Sequence, residues 1–461
     1  MLEIEVIDTS ELGDRSYVVH DGSTALVIDP QRDIDRVQAV LDKHGLTVAA
    51  IAETHIHNDY LTGGLELARQ SGADYLVCAD DEVAFERRGV SDGDVLTYGS
   101  LELRVIGTPG HTHNHLAYSV SSTADSGASG DSGDTAVFTG GSLLYGSVGR
   151  TDLLGDEETD TLTRAQFHSA RKLVSLLPDG TDVYPTHGFG SFCSSGSAAG
   201  GDSSTIGEEK QRNDALTEDD EDAFVAGLID NLTAYPAYYA HMSSGNSEGP
   251  GPIDLSPPES VDATELRRRV DAGEWVVDLR DRTVYPKGHV SGSIGIDLGG
   301  QFATYLGWLM PWGTDLTLIG DSADQVSAAQ RELVRIGIDR PAGATSGNVG
   351  ALVPDEQLAH YPVVSFADLQ AEPAGPGFTV LDVRRDDERA DAAIPGSSHI
   401  PIHSLIERMD EVPEGTLWVH CVSGYRASIC ASLLARAGHD VVLIDDEFDN
   451  AVKLGLTETS T

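Results

Sequence analysis

The sequence predicts an α/β protein of three domains, one large and N-terminal, followed by two small parallel α/β units. Three observations carry that prediction. The chain has 461 residues, too many for one ordinary core when domains run to roughly 150 residues. Its N-terminal part alternates short apolar runs with turn signals and a few amphipathic helices. Its C-terminal part repeats itself, with Asp278-Leu279-Arg280 returning as Asp382-Val383-Arg384 after a period of ~100 residues.

In the first domain, residues 1–245, apolar runs predict strands over 2–7, 16–20, 25–28, 48–53, 75–78, 101–106, 116–119, 136–139 and 182–184. Helical periodicity predicts helices over 33–44, 63–72 and 164–177. The Ser/Gly/Asp tract 121–134 reads as a solvated surface loop. A second low-complexity tract, 194–204, interrupts the chain before helical periodicity resumes over 220–233. Residues 246–258, rich in Gly, Pro and Ser, predict a linker. The repeated units, 259–355 and 362–461, each open with an amphipathic helix and a strand that ends in the Asp-x-Arg triplet. A turn, a second strand, a third strand (316–319 or 417–420) and a helix follow in each.

Acidic residues number 75 against 30 basic ones, a formal charge of -45. Lysine is nearly absent, occurring only at Lys43, Lys172, Lys210, Lys287 and Lys453. The acidic excess is spread along the whole chain, so it describes a solvated surface rather than a tail with one partner. Nucleic acid is excluded as an expected ligand, because no basic patch exists to neutralise phosphates. Such a surface resembles that of proteins from high-salt cytoplasm, where ions screen the self-repulsion. No stretch approaches the ~20 apolar residues of a membrane span, which predicts a cytoplasmic protein without a membrane partner. The cysteines, Cys78, Cys193, Cys421 and Cys430, are widely spaced and predict neither disulfides nor a cysteine zinc knuckle.

His55, His57 and Asp59 alternate directly after the apolar run 48–52. Alternation at a strand end throws the three side chains to one side, toward one cation. Two imidazoles and a carboxylate suit zinc or ferrous iron. One strand end supplies too few ligands, and His111 and His187, each at the end of a later predicted strand, are the partners. Thr54 to Gly63, Gly110-His111-Thr112 and Tyr184-Pro185-Thr186-His187 together resemble the metallo-β-lactamase fold superfamily, more closely its persulfide dioxygenase and glyoxalase II branch. Phe138-Thr139-Gly140-Gly141 and Gly149-Arg150-Thr151-Asp152 are similar to that branch's strand and turn.

The resemblance implies an αββα sandwich with metal between its sheets. It implies His55, His57 and His111 on one side of the site, with Asp59 and His187 on the other. Two positions depart from the family pattern. Tyr60 replaces a histidine, and Gly141 stands where the family has an aspartate that binds or bridges metal. The cofactor implied is one Fe(II) or Zn(II) per chain, in a site either altered at these two positions or lost, with the fold kept and no metal bound. Cys193, six residues beyond His187, matches a cysteine of the fused dioxygenase and sulfurtransferase subfamily and is a second expected functional thiol.

Cys421 follows an apolar strand and precedes a helix predicted over 427–437. A cysteine at that junction faces backbone N–H groups and the positive end of a helix dipole, which favour an anionic sulfur. Residues 362–461 resemble the rhodanese domain, with Cys421 as persulfide carrier and Asp382 and Arg384 as framework. Val422, Ser423, Gly424 and Tyr425 then form the anion-cradling loop that ends at Arg426. That loop is shorter than the loop of the similar cysteine-based phosphatases, which favours sulfur over phosphoryl transfer. The matching region of the middle unit, Ile319-Gly320-Asp321-Ser322, has no cysteine, and that unit is expected to be an inactive copy. Cys78 and Cys430 read as core residues.

The expected architecture is thus a metallo-β-lactamase αββα sandwich followed by two rhodanese-like doubly wound α/β domains, the order of persulfide dioxygenase and sulfurtransferase fusions. Residues 208–213 and Pro236-Ala237-Tyr238-Tyr239 are also similar to that subfamily. The function implied is thiol persulfide metabolism, with Cys421 moving sulfane sulfur between a small persulfide or thiosulfate and a thiol, sulfite or cyanide acceptor. Two alternatives stand beside it. One is a zinc-dependent thioester hydrolase of the glyoxalase II type, the other a sulfur-relay protein whose N-terminal domain only binds. Dimers are common in the family, so a homodimer is the assembly implied.

Overall fold

The computed structural model describes residues 2–123, 135–195, 201–372 and 377–459, so the tracts 121–134 and 194–204 lie partly outside the described residues. The chain forms two compact units, Met1–Ile253 with Val334–Gly337, and Asp254–Leu333 with Ile338–Thr461. Among the described residues no helix is long and apolar enough to cross a membrane.

The first unit holds two sheets packed face to face. One has six strands in chain order: Glu3–Thr9, Asp14–His20, Thr24–Ile28, Thr47–Ala52, Asp74–Cys78 and Arg88–Val90. The other runs Asp182–Pro185, Thr135–Gly140, Leu116–Ser122, Leu101–Gly107, Val95–Tyr98. Strand alternation sorts the side chains into layers. Tyr17, Val19, Leu26 and Ile28 face Leu103, Val105, Tyr118 and Phe138 in the inter-sheet core. Their neighbours Val18, Val27 and Ile51 turn the other way, onto Val37 and Leu41 of the helix Asp35–His44 and Leu65 and Ala68 of the helix Gly64–Ser71. On the far side, Ile106, Ala117 and Val137 pack against Phe167, Ala170 and Leu173 of the helix Asp156–Leu176, and against Phe224 and Leu228 of Glu221–Asp230. This is the αββα sandwich that the resemblance implies.

Three features differ from the sequence prediction. The edge strands Arg88–Val90 and Val95–Tyr98 are short and half exposed, and carry no buried alternation to read. The helix Asp156–Leu176 begins two turns earlier than predicted, because Asp156, Glu157 and Glu158 favour a helix N-terminus through its dipole rather than through apolar periodicity. The helix Tyr239–Glu248 runs into the stretch expected as linker. Its Asn246 is buried and bonded to the backbone of residues 57–62, a tertiary anchor invisible to composition.

The second unit contains two parallel sheets of matching order. The middle one runs Ile294–Gly295, Trp275–Asp278, Leu316–Gly320, Gly343–Ser346. The C-terminal one runs Ser398–His399, Phe378–Asp382, Thr416–His420, Asp440–Ile444, with Val363–Val364 added at the edge. The repeated Asp-x-Arg triplets fold identically. Arg280 donates Nε and Nη2 to Asp278 at 2.9 and 2.7 Å, and Arg384 donates the same atoms to Asp382 at 3.0 and 2.7 Å. Both aspartates are fully buried, so the bidentate pairing is what lets charge sit at the end of an apolar strand.

Candidate functional site

Strand ends on the sandwich deliver the metal-ligand candidates. His55, His57 and Asp59 follow Thr47–Ala52, His111 follows Leu101–Gly107, and His187 follows Asp182–Pro185. The ring of His55 lies 4.2 Å from that of His57, 4.9 Å from His111 and 5.3 Å from His187. All five residues are at most 2% exposed, which makes the cluster an interior site.

Each imidazole is aimed by a bond on one nitrogen. His55 Nδ1 meets Thr54 Oγ1 at 2.9 Å, and His111 Nδ1–H donates to the Arg150 carbonyl at 2.7 Å. His187 Nδ1 lies 2.9 Å from Asp14 and 3.2 Å from Asp59. His57 Nε2 faces Asp29 at 3.3 Å, Glu53 at 3.4 Å and the Tyr60 hydroxyl at 3.0 Å. The opposite nitrogens turn inward. His57 Nδ1, His111 Nε2 and both Asp59 oxygens are buried without a well-formed hydrogen bond, and His55 Nε2 stands 3.4 Å from His187 Nε2.

Unpartnered buried polar atoms are rare and need a cause. One ring nitrogen held by a carbonyl, carboxylate or hydroxyl while the other faces a shared interior space is how metal-binding histidines are oriented. Ligand atoms of His55, His57 and His187 lie within 4.8 Å of one another, so the residues present fit a divalent cation.

Charge is distributed unevenly across the cluster. Burial, with the charge of His57, pushes His55 well down, and burial with the charge of His187 pushes His111 down to about 3, so both offer neutral lone pairs. Burial acts the same way on His57 and His187. There, however, Asp29 with Glu53, and Asp59 with Asp14, carry them up to about 9 and about 10.

The two departures from the family pattern have structural counterparts. Tyr60 lies stacked on His57, ring centroids 4.3 Å apart, and its hydroxyl sits at the outward Nε2 of that ring, away from the inward cluster atoms. A Cβ on Gly141 would lie 2.3 Å from Cδ2 of His111. The place of a side chain at residue 141 is thus filled by the imidazole.

Sequence reasoning missed the residues that hold the ligands. Asp29, in a left-handed conformation at φ 48° just after the strand Thr24–Ile28, accepts from the Thr54 N–H and hydroxyl at 2.7 Å and from the Thr186 hydroxyl. It thereby joins the residues preceding His55 and His187. Its only signal was a carboxylate directly after an apolar strand. His115 stacks on His55 at 4.8 Å and accepts from the Gly141 N–H at 3.0 Å. Asn246 donates to the carbonyls of His57 and Tyr60 at 2.9 and 2.8 Å. Cys193 is fully buried, with Sγ, one nitrogen of His111 and one of His187 all within 4.8 Å of one another. A small cleft lined by Asn58, Asp81, Thr112 and Ser243 opens beside the ligand-bearing loops.

Cys421 follows the strand Thr416–His420 and is 2% exposed. The loop turns at Gly424, where φ is 87° and a Cβ would overlap Asp445. The helix Tyr425–Arg436 starts there, two residues before the predicted start, so Tyr425 and Arg426 belong to its first turn. Val422 accepts from the Phe448 N–H at 2.7 Å, and Arg426 grips Glu388 with two bonds of 2.6 and 2.8 Å. The Tyr425 hydroxyl donates to the carbonyl of Asp297 in the middle domain at 2.9 Å. Burial works against charge on Asp382, yet Arg384, aided by His420, holds its carboxyl at about 2. Burial pushes the thiols of Cys78, Cys193 and Cys430 up.

Residues 12–187 match the metallo-beta-lactamase superfamily and residues 365–453 match the rhodanese-like domain. The chain is similar to a crystal structure of a metallo-beta-lactamase from Staphylococcus aureus subsp. aureus COL, at 28% identity and TM-score 0.67. That likeness covers 75% of this chain and 99% of that one. It is 30% identical over 172 residues to a hydroxyacylglutathione hydrolase of Aliivibrio salmonicida, covering 37% of this chain and 60% of the relative. A hydroxyacylglutathione hydrolase of Cupriavidus taiwanensis is 33% identical over 196 residues, 41% of this chain and 67% of the relative. The chain spans about 60% of the length of the first curated relatives it matches.

Proposed function

Given a chain that joins a metallo-beta-lactamase superfamily domain to a rhodanese-like domain, we propose that it is an enzyme of sulfur metabolism in which Cys421 transfers sulfane sulfur. The observation that carries this reading is the place of Cys421, at the base of a tight loop that feeds a helix N-terminus. A helix N-terminus is an element that attracts anionic groups. In the first half-reaction Cys421 Sγ attacks the outer sulfur of a thiol persulfide or thiosulfate. The donor's S–S bond breaks, its electron pair leaves with the thiolate or sulfite, and a Cys421 persulfide forms. A thiol, sulfite or cyanide acceptor then takes the outer sulfur and restores the Cys421 thiolate. Arg426, fixed by Glu388, closes the loop that begins at Cys421. The middle domain, with the same strand order and the same Asp-x-Arg clamp but no cysteine, acts as a rhodanese-like support for that loop.

The N-terminal cluster is read as a metal centre that works on the same class of thiol compounds. A bound divalent cation supplies Lewis-acid or dioxygen chemistry, as zinc or iron respectively. His55, His57, His111, Asp59 and His187 would hold it, while Asp29, Asp14 and Thr54 orient them. With iron the reading is oxidation of the persulfide by dioxygen. The match to hydroxyacylglutathione hydrolases favours a second reading, thioester hydrolysis with zinc.

Full-length protein should transfer sulfur from thiosulfate or a thiol persulfide, and Cys421→Ser should lose more than about 100-fold of that rate. Its retention in Cys421→Ser would sink the proposal. Persulfide-dependent oxygen uptake supports the dioxygenase, and thioester cleavage without oxygen the hydrolase. If His55→Ala changes neither, the N-terminal domain only binds a partner.

A further inference from the structure

We propose that Cys193 is a metal ligand, its thiolate joining His111 and His187 around a zinc-type cation as the anionic donor that Gly141 does not provide. The inference rests on reading the histidine cluster as a metal centre and adds a donor of a different chemical class to it.

Cys193, His111 and His187 are each 0% exposed, and one potential ligand atom from each falls inside a common 4.8 Å limit. The hydrogen bonds decide which atoms face the shared space. The Arg150 carbonyl can only accept, so His111 Nδ1 carries the proton, and His111 Nε2 keeps a lone pair that meets no partner. Asp14 and Asp59 occupy His187 Nδ1, so Nε2, 3.4 Å from His55 Nε2, is the atom that faces the cluster.

The backbone of Cys193 is held by the same residue that aims His111. The Arg150 N–H donates to the Cys193 carbonyl at 2.8 Å, and the Arg150 carbonyl, on the opposite side of that residue, accepts from His111 at 2.7 Å. The Cys193 N–H donates to Ser191 Oγ at 3.2 Å, and Gly149 bridges to Ser194. The backbone of Cys193 is thus fixed at both its N–H and its carbonyl, and its Sγ lies within 4.8 Å of the fully buried imidazole of His111, whose Nε2 has no partner.

Chemistry points the same way. Asp59 is one carboxylate at the site, and residue 141 has no room to supply another, since a Cβ there would lie 2.3 Å from the His111 ring. A thiolate supplies the second anion, so that Asp59 and Cys193 together neutralise a divalent cation. On binding, the S–H proton leaves to solvent and a sulfur–metal bond forms. Thiolate with imidazole selects zinc, and cobalt as its spectroscopic stand-in, over cations that prefer oxygen.

The test loads full-length, reduced protein with Co(II) and records near-ultraviolet absorption and bound cobalt. The expected result is a thiolate-to-cobalt charge-transfer band in wild type and in Cys421→Ser, lost in Cys193→Ser, whose cobalt affinity falls at least ~10-fold. Cys193→Asp, which keeps an anion and guards against a folding defect in the serine variant, should bind cobalt without the band. Cobalt bound by wild type with no such band, or a band that survives in Cys193→Ser, overturns Cys193 as ligand and leaves the metal centre standing. No cobalt bound at all overturns both.

Discussion

Gly141 shows how one residue decides what a site can hold. A side chain there would drive its Cβ to 2.3 Å from the His111 ring, which is itself pinned through Arg150. Overpacking of this kind costs about 1–3 kcal/mol. Gly141→Asp is therefore expected to lower bound metal and the melting temperature rather than to add a ligand. Elemental analysis beside thermal denaturation checks this, and a variant that binds more iron than wild type would contradict it. The candidate ligands were legible as letters, because His55, His57 and Asp59 alternate and His111 and His187 follow strands. The groups that aim them were not. Asn246 and His115 act through tertiary contacts that nothing local marks, and Asp29 shows locally only as a carboxylate after an apolar strand. Cys193 was legible as a thiol near His187, but its closeness to His111 depends on the backbone pairing of Gly149 and Ser194.

Elements with strong buried periodicity were read well, and those made by charge or by edges were not. The duplicated strands of the second unit are nearly continuous apolar runs, as parallel strands buried on both faces must be. What the repeat could not reveal is how the cysteine-free copy serves the other. Tyr425, in the first turn of the helix after Cys421, bonds to Asp297 and lies so close to Gly300 that a Cβ there would meet its ring at 2.4 Å. Gly300→Ala should therefore displace Tyr425 and the start of that helix. The expected outcome is a roughly tenfold loss of sulfur transfer, with N-terminal metal content unchanged. A sulfurtransferase assay paired with metal analysis reads both, and full transfer activity in Gly300→Ala would mean the middle domain does not brace the loop.

At the scale of the whole molecule, charge dominates. A net charge of -45 repels itself over a Debye length of about 10 Å at 0.1 M salt and only ~3 Å at 1 M. The melting temperature should rise by several degrees between those concentrations of KCl, and a flat or falling trend would remove the high-salt reading of the surface. The Asn246 clamp bears on how the protein can be dissected. The superfamily match stops at residue 187, yet the loop carrying His57 and Tyr60 is tied to a helix at residues 239–248. A fragment cut at the end of the match would shed that tie together with Cys193. The smallest piece on which metal chemistry can be fairly judged therefore runs to about residue 253, where the first unit's long segment ends.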